Sequence, residues 1–156
     1  MSVSFINKLF KSKSNDDFCT AVVLAAGNSQ RMGKDKILMP LGGAPVIAHT
    51  LKALQSAECI DEIVVVTKYE RLQELADICH DHGISKASKV VVGGKTRLES
   101  SLIGVSNADE RAKYIAIHDG ARPFVTNSLI ERVVHSAHQH GASAPCPQPT
   151  PCVSST

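Results

Sequence analysis

The chain has 156 residues, 43% hydrophobic and 21% charged, which is the balance of a soluble globular domain and not of a disordered chain. Seventeen Lys and Arg against fifteen Asp and Glu leave a formal charge of +2, too small for the basic footprint of a nucleic-acid binder. No apolar run approaches the ~18 residues that a bilayer span requires, and residues 1–13 lack the continuous apolar stretch and small-residue cleavage site of a secretory signal.

Residues 1–17 read as a flexible leader, in which Phe5, Ile6, Leu9 and Phe10 would share one face of a short helix. From there the hydrophobic period alternates. Residues 20–25 (TAVVLA) are a short apolar run of the kind buried on both faces of a sheet. Residues 46–57 carry Val46, Ile47, Leu51 and Leu54 at helical spacing behind Pro45. Residues 63–67 (IVVVT) are a strand again, and 70–82 are a helix with Leu72, Leu75, Ala76 and Cys79 on one stripe, stopped at Gly83. A strand over 89–92, a helix over 97–107, a strand over 114–118 and a helix over 128–140, closed by Gly141, complete the series. Strict alternation with β-branched strands predicts an α/β fold, a doubly wound, mostly parallel sheet of Rossmann-like type with helices on both faces. The unit is expected over residues 18–144. Residues 145–156 read as an irregular Pro-rich tail, because Pro145, Pro147, Pro149 and Pro151 would each remove a ladder donor from a strand.

Cys19, Cys59, Cys79, Cys146 and Cys152 form no CxxC pair, which suits a reducing compartment and a cytoplasmic location; the first three read as small apolar fillers. His80 with His82, and His135 with His138 and His140, have no Cys or carboxylate at ligand spacing. They read as exposed helix histidines and not as a zinc site.

Ligands of open parallel sheets sit beyond the carboxyl ends of the strands, and three motifs fall there. After the first strand comes Ala25-Ala26-Gly27-Asn28-Ser29-Gln30-Arg31-Met32-Gly33, with Lys36 close behind. Its small residues let a ligand lie against the backbone, while Arg31 and Lys36 offer a planar fork and a point charge to phosphate. It is neither a GxGxxG loop nor a Walker A loop. After the third strand comes Gly93-Gly94-Lys95-Thr96-Arg97-Leu98-Glu99-Ser100, where paired glycines precede a helix amino end and would expose amides to an anion. After the fourth comes His118-Asp119-Gly120-Ala121-Arg122-Pro123. The fourth strand should lie beside the first, bringing Asp119 near the Ala-Ala-Gly loop. One carboxylate beside phosphates suits Mg²⁺; the alternative is that Asp119 pairs with Arg122 and caps the next helix. Together the loops point to a nucleoside triphosphate bound with Mg²⁺, and they leave the acceptor open.

In these motifs, and in Lys36-x-x-x-Pro40-Leu41-Gly42-Gly43 between them, the chain from about Thr20 to Ala144 resembles the 2-C-methyl-D-erythritol 4-phosphate cytidylyltransferases of the non-mevalonate isoprenoid route. The resemblance implies a nucleotidyltransferase that joins CTP to a sugar-alcohol phosphate, releases pyrophosphate and uses a divalent cation, Mg²⁺. It implies that Ala25, Ala26, Gly27 and Ser29 line the CTP site and that Gly93, Gly94, Arg97 and Ser100 hold the cytosine and ribose. It implies a metal at Asp119, and Arg31 and Lys36 as the cations that stabilise the transition state. The segment between Arg31 and Lys36 is shorter than in many members, and Gly120 stands where alanine is usual. The family's homodimer arm and acceptor-binding residues have no counterpart after Pro145, where truncation or a shifted reading frame is the expectation. The alternatives are another sugar- or alditol-phosphate nucleotidyltransferase and an inactive nucleotide-binding fragment. Neither nucleic acid nor membrane is an expected partner.

Overall fold

The structure, a computed structural model, describes residues 17–27 and 35–146. At its centre lies β1 (Cys19–Leu24), whose Ala and Val side chains are fully buried. In chain order there follow β2 (Pro40–Leu41), β3 (Ala44–Pro45), α1 (Val46–Ser56), β4 (Glu62–Thr67), α2 (Leu72–Asp81), β5 (Ala87–Val92), α3 (Arg97–Ser106), β6 (Tyr114–Asp119) and α4 (Asn127–His140). The main sheet runs β5-β4-β1-β6 with every pair parallel. The expected neighbour relation holds: β6 pairs with β1, and Asp119 stands opposite Leu24. The leader expected over residues 1–17 lies almost wholly outside the described residues, as does most of the tail.

Parallel partners point the same way, so the register divides the apolar residues between two faces. Ala21, Val23, Ile63 and Val65 meet Ile47, Leu51 and Leu54 of α1, Leu75 of α2, and Ile130 and Val134 of α4. Val22, Val64 and Val66 form a second, smaller cluster on the other face. There α3 lies close, because Gly104 has no side chain and a Cβ in its place would run into Val22 and Val66. The chain moves from β1 outward to β4 and β5, then crosses by α3 to the far side of β1. That reversal of direction opens a crevice at the strand ends, where sheets of this type bind ligands.

Three differences from the sequence reading have local causes. A two-residue hairpin joins β2 and β3 through Gly42 and Gly43, whose φ values of 55° and 88° are those of a tight primed turn. The strand expected from Lys89 begins at Ala87, since the Ser88 hydroxyl donates to Glu62 and the ladder continues through a register shift beside Ile63. His138 is not an exposed helix histidine. Ile130, Val134 and His138 recur every four residues, so the buried stripe of α4 carries the imidazole onto Tyr114 of β6, with ring centroids 3.9 Å apart.

At the amino end of the sheet Glu62 is a buried polar hub. It accepts from the Thr20 hydroxyl at 2.7 Å, from the Asp109 amide at 2.8 Å, and from Ser88, tying β1, β4, β5 and the approach to β6 to one carboxylate. Thr126 caps α4 by accepting from the Leu129 amide, and Gly141 ends that helix at φ 83°. Leu98, Leu102 and Val105 of α3 and Ile117 of β6 are exposed. Among the described residues no helix is long and apolar enough to cross a membrane.

Candidate functional site

The carboxyl ends of the strands are stitched together by backbone bonds that fix where the loops begin. The Ala25 amide donates to the Val66 carbonyl at 2.7 Å, the Gly93 amide to Thr67 at 2.7 Å, and the Gly120 amide to Leu24 at 2.9 Å. All three motif loops therefore leave the sheet at one level. The first two touch: a Cβ on Gly93 would stand 2.8 Å from the Ser100 hydroxyl and 2.9 Å from the Ala26 Cβ, so the loops meet this closely because residue 93 has no side chain.

Between the loops lies a cavity of about 640 Å³, within the range of small-molecule sites. Ala25, Ala26, Gly27, Lys36, Gly94, Arg97, Ser100 and Asp119 all line it, residues singled out from motifs up to 94 positions apart in the chain. Gly93 stands just behind the lining. Ser29 and Arg31 lie outside the described residues. The structure adds Lys95, Thr96, Ala121 and Arg122, which sequence reasoning did not place in the site although they stand inside the motifs it used.

Lys36 reaches the cavity from a 3₁₀ turn (Lys36–Leu38) that is anchored on both sides. Ile37 is buried in the core, and Asp35 pairs with Arg71 at 3.4 Å, at the start of α2. Across the cavity both oxygens of Asp119 are engaged. Arg97 of α3 reaches Oδ1 at 2.9 Å and Arg122 of the following turn reaches Oδ2 at 3.1 Å. The pairing with Arg122 that the sequence offered as an alternative is thus present, with a second arginine added. Burial pushes the Asp119 carboxyl up, but the guanidinium of Arg97 and then that of Arg122 outweigh it and hold the group below its ordinary value. The carboxylate is ionised. With Lys36, Lys95, Arg97 and Arg122 around it, the cavity carries an excess of positive charge and suits a polyanion.

The second loop differs from expectation in one respect. The amides ahead of α3 are not open to an anion. Glu99 Oε2 accepts from the Lys95 amide at 2.6 Å and the Thr96 amide at 3.2 Å, while Thr96 Oγ1 accepts from the Glu99 amide at 3.1 Å. This is a complete capping box, and Thr96-x-x-Glu99 was its sequence signal. Next to Asp119, but on the opposite face of β6, burial pushes the His118 imidazole below its ordinary value, and its Nδ1 is buried with no partner among the described residues.

For a metal the donors are few. Among the described residues no group of three or more His, Cys, Asp or Glu could hold an ion. A single ionised carboxylate facing a phosphate-sized, cationic cavity fits Mg²⁺ in one setting, where phosphate and water oxygens complete the octahedron. The donor set fits a cation that arrives with a polyphosphate.

A family model described as 2-C-methyl-D-erythritol 4-phosphate cytidylyltransferase matches residues 19–149. A curated enzyme of that name from Clostridium botulinum is 36% identical over 127 residues, covering 80% of this chain and 56% of its own length. Another from Prosthecochloris aestuarii is 35% identical over 141 residues, covering 83% and 58%. The crystal structure of 4-diphosphocytidyl-2C-methyl-D-erythritol synthase from Anaerococcus prevotii superposes with a TM-score of 0.68 at 26% identity, covering 80% of this chain and 52% of that one. The chain spans a little over half the length of the curated relatives it matches.

Proposed function

The chain belongs to the 2-C-methyl-D-erythritol 4-phosphate cytidylyltransferase family, and from that premise we propose that its cavity binds CTP with a divalent cation and serves cytidylyl transfer to 2-C-methyl-D-erythritol 4-phosphate. The observation that carries the proposal is the convergence of three motif loops on one cavity where four cations surround a single ionised carboxylate.

In the proposed reaction a 4-phosphate oxygen of the acceptor bonds to the α-phosphorus of CTP as the bond to the β-phosphate oxygen breaks, and pyrophosphate leaves. A phosphate monoester with a second pKa of about 6 is largely dianionic at neutral pH, so the site needs no general base. The cavity offers what remains necessary, namely neutralisation and positioning. The amides of Ala26 and Gly27 would lie along the phosphates, with Ala25 lining the pocket beside them, and Lys36, together with Arg31, would take up charge that develops at the α-phosphorus. Gly93, Gly94, Arg97 and Ser100, with Ser29 of the first loop completing the pocket, would leave the far end to cytosine and ribose. Asp119 would hold Mg²⁺, which would supply neutralisation of the phosphate charge. We place the protein in the cytoplasm on the scatter of its five cysteines, none of which falls in a CxxC pair.

Pyrophosphate release from CTP, measured with and without the acceptor, tests the reading. Release that depends on methylerythritol phosphate is the expected result. Release only with a different alditol phosphate would move the chain to a neighbouring nucleotidyltransferase activity. Tight CTP binding with no release would leave it a nucleotide-binding unit.

A further inference from the structure

Both oxygens of Asp119 are occupied by groups that a polyphosphate would also claim. Arg97 donates to Oδ1 at 2.9 Å and Arg122 to Oδ2 at 3.1 Å, and all three residues line the same cavity. The partners differ in freedom. Asp119 ends β6 in register with Leu24, and the Gly120 amide fastens the backbone behind it to the Leu24 carbonyl at 2.9 Å, so the carboxylate has a fixed base. The arginine side chains are long and 67% and 72% exposed, against 34% for Asp119. Exposed pairs of this kind are worth little each and are readily traded. A phosphate offers a guanidinium the same charge-assisted geometry as a carboxylate.

We infer that binding at this site is an exchange: Asp119 withholds Arg97 and Arg122 in the empty cavity, and an incoming polyphosphate draws both guanidinium groups away, which frees the carboxylate for a divalent cation. The inference rests on the reading of the cavity as a CTP site and deepens it. Before the exchange two positive charges stand beside the carboxylate and oppose a dication. The same pairing keeps two of the cavity's cations from phosphate. Each ligand therefore removes an obstacle to the other, and by linkage the gain in affinity is equal in both directions. Arg122, whose place in the site the motif reading did not assign, gains a role as one arm of that coupling.

Calorimetric titration with inorganic tripolyphosphate, in EDTA and at about 0.15 M salt, isolates the phosphate side of the exchange from metal and base. Asp119→Asn should bind tripolyphosphate about tenfold more tightly than the native chain, because both arginines are released. In an Arg97→Gln/Arg122→Gln background the same substitution should gain about threefold or less, the part due to direct repulsion between carboxylate and phosphate. Mn²⁺ binding without phosphate, followed by electron paramagnetic resonance, reads the other side. The double arginine variant should bind Mn²⁺ about tenfold more tightly than the native chain, and adding Asp119→Asn should abolish the gain. Lys95→Gln removes a cavity cation that does not bond Asp119, and should change Mn²⁺ affinity about twofold or less. Equal gains from Asp119→Asn in both backgrounds overturn the inference, as does a Lys95→Gln effect as large as that of the arginine pair; CTP binding by the native chain would still stand. The expected gains in a chain that does not bind CTP would sink the CTP reading and keep the exchange.

Discussion

Lys36 illustrates how a flexible side chain becomes a precise one. Its backbone is clamped by the burial of Ile37 and by the Asp35–Arg71 pair, so the ammonium works from a fixed base over the cavity. A point charge placed this way matters most where charge develops, and Lys36→Ala should lower the transfer rate about 10²–10³-fold while weakening CTP binding much less. Steady-state kinetics beside direct binding checks this, and an unchanged kcat sinks the assignment. Asp119 makes a complementary case. Its two arginines are more than half exposed, so the ion pairs contribute little to folding. Asp119→Asn should shift stability by less than ~1 kcal/mol. It should also abolish the enhancement of CTP binding by Mg²⁺, which titration with and without the ion measures. Most of these residues were legible from motif spacing alone, because a βα loop places its first residues by backbone geometry. Arg122 and Glu99 were harder to assign: whether an arginine faces its neighbour or a cleft, and whether an acid caps a helix or faces solvent, depends on tertiary placement.

The elements themselves follow from burial. Runs such as Val22 to Leu24 and Ile63 to Val66 are apolar without alternation because both faces of the sheet are covered, and that made them easy to find. What escaped was held by polar bonds or turn chemistry. The Gly42-Gly43 hairpin has flanks of only two residues, each containing a proline, too short for a periodic signal. The extra residues of β5 depend on Ser88 and Glu62, a contact between positions 26 apart. The Glu62 hub has a measurable consequence. Replacing it with leucine strands three donors from different elements, and urea denaturation should show a loss of about 2–4 kcal/mol. Glu62→Gln, which keeps an acceptor, should lose less. A loss below that of an ordinary surface substitution would mean the hub is incidental.

For the molecule as a whole, acid is the expected weakness. Burial keeps the His118 imidazole below its ordinary value, so the unfolded chain accepts a proton that the folded chain resists. That contribution is intact above about pH 6.5 and is lost as the pH falls below it. Carboxylates extend the trend. Hydrogen bonds from Arg111 hold Asp109 low, and at Asp119 the arginines overcome an opposing effect of burial, so both contribute above about pH 4 and lose that contribution as the pH falls further. Melting temperatures from pH 8 to pH 2 should therefore decline in two stages, and His118→Gln should flatten the first; parallel curves would dismiss the histidine. The position of β1 has a consequence of another kind. It is the earliest strand of the sheet to leave the ribosome, yet its partners are residues 62–66 on one side and 114–119 on the other. A nascent chain must shelter this apolar ribbon until nearly a hundred further residues have been translated. Parallel pairing over such separations is slow, so the interval before β6 emerges is when chaperone capture or premature clumping would decide the yield of folded protein.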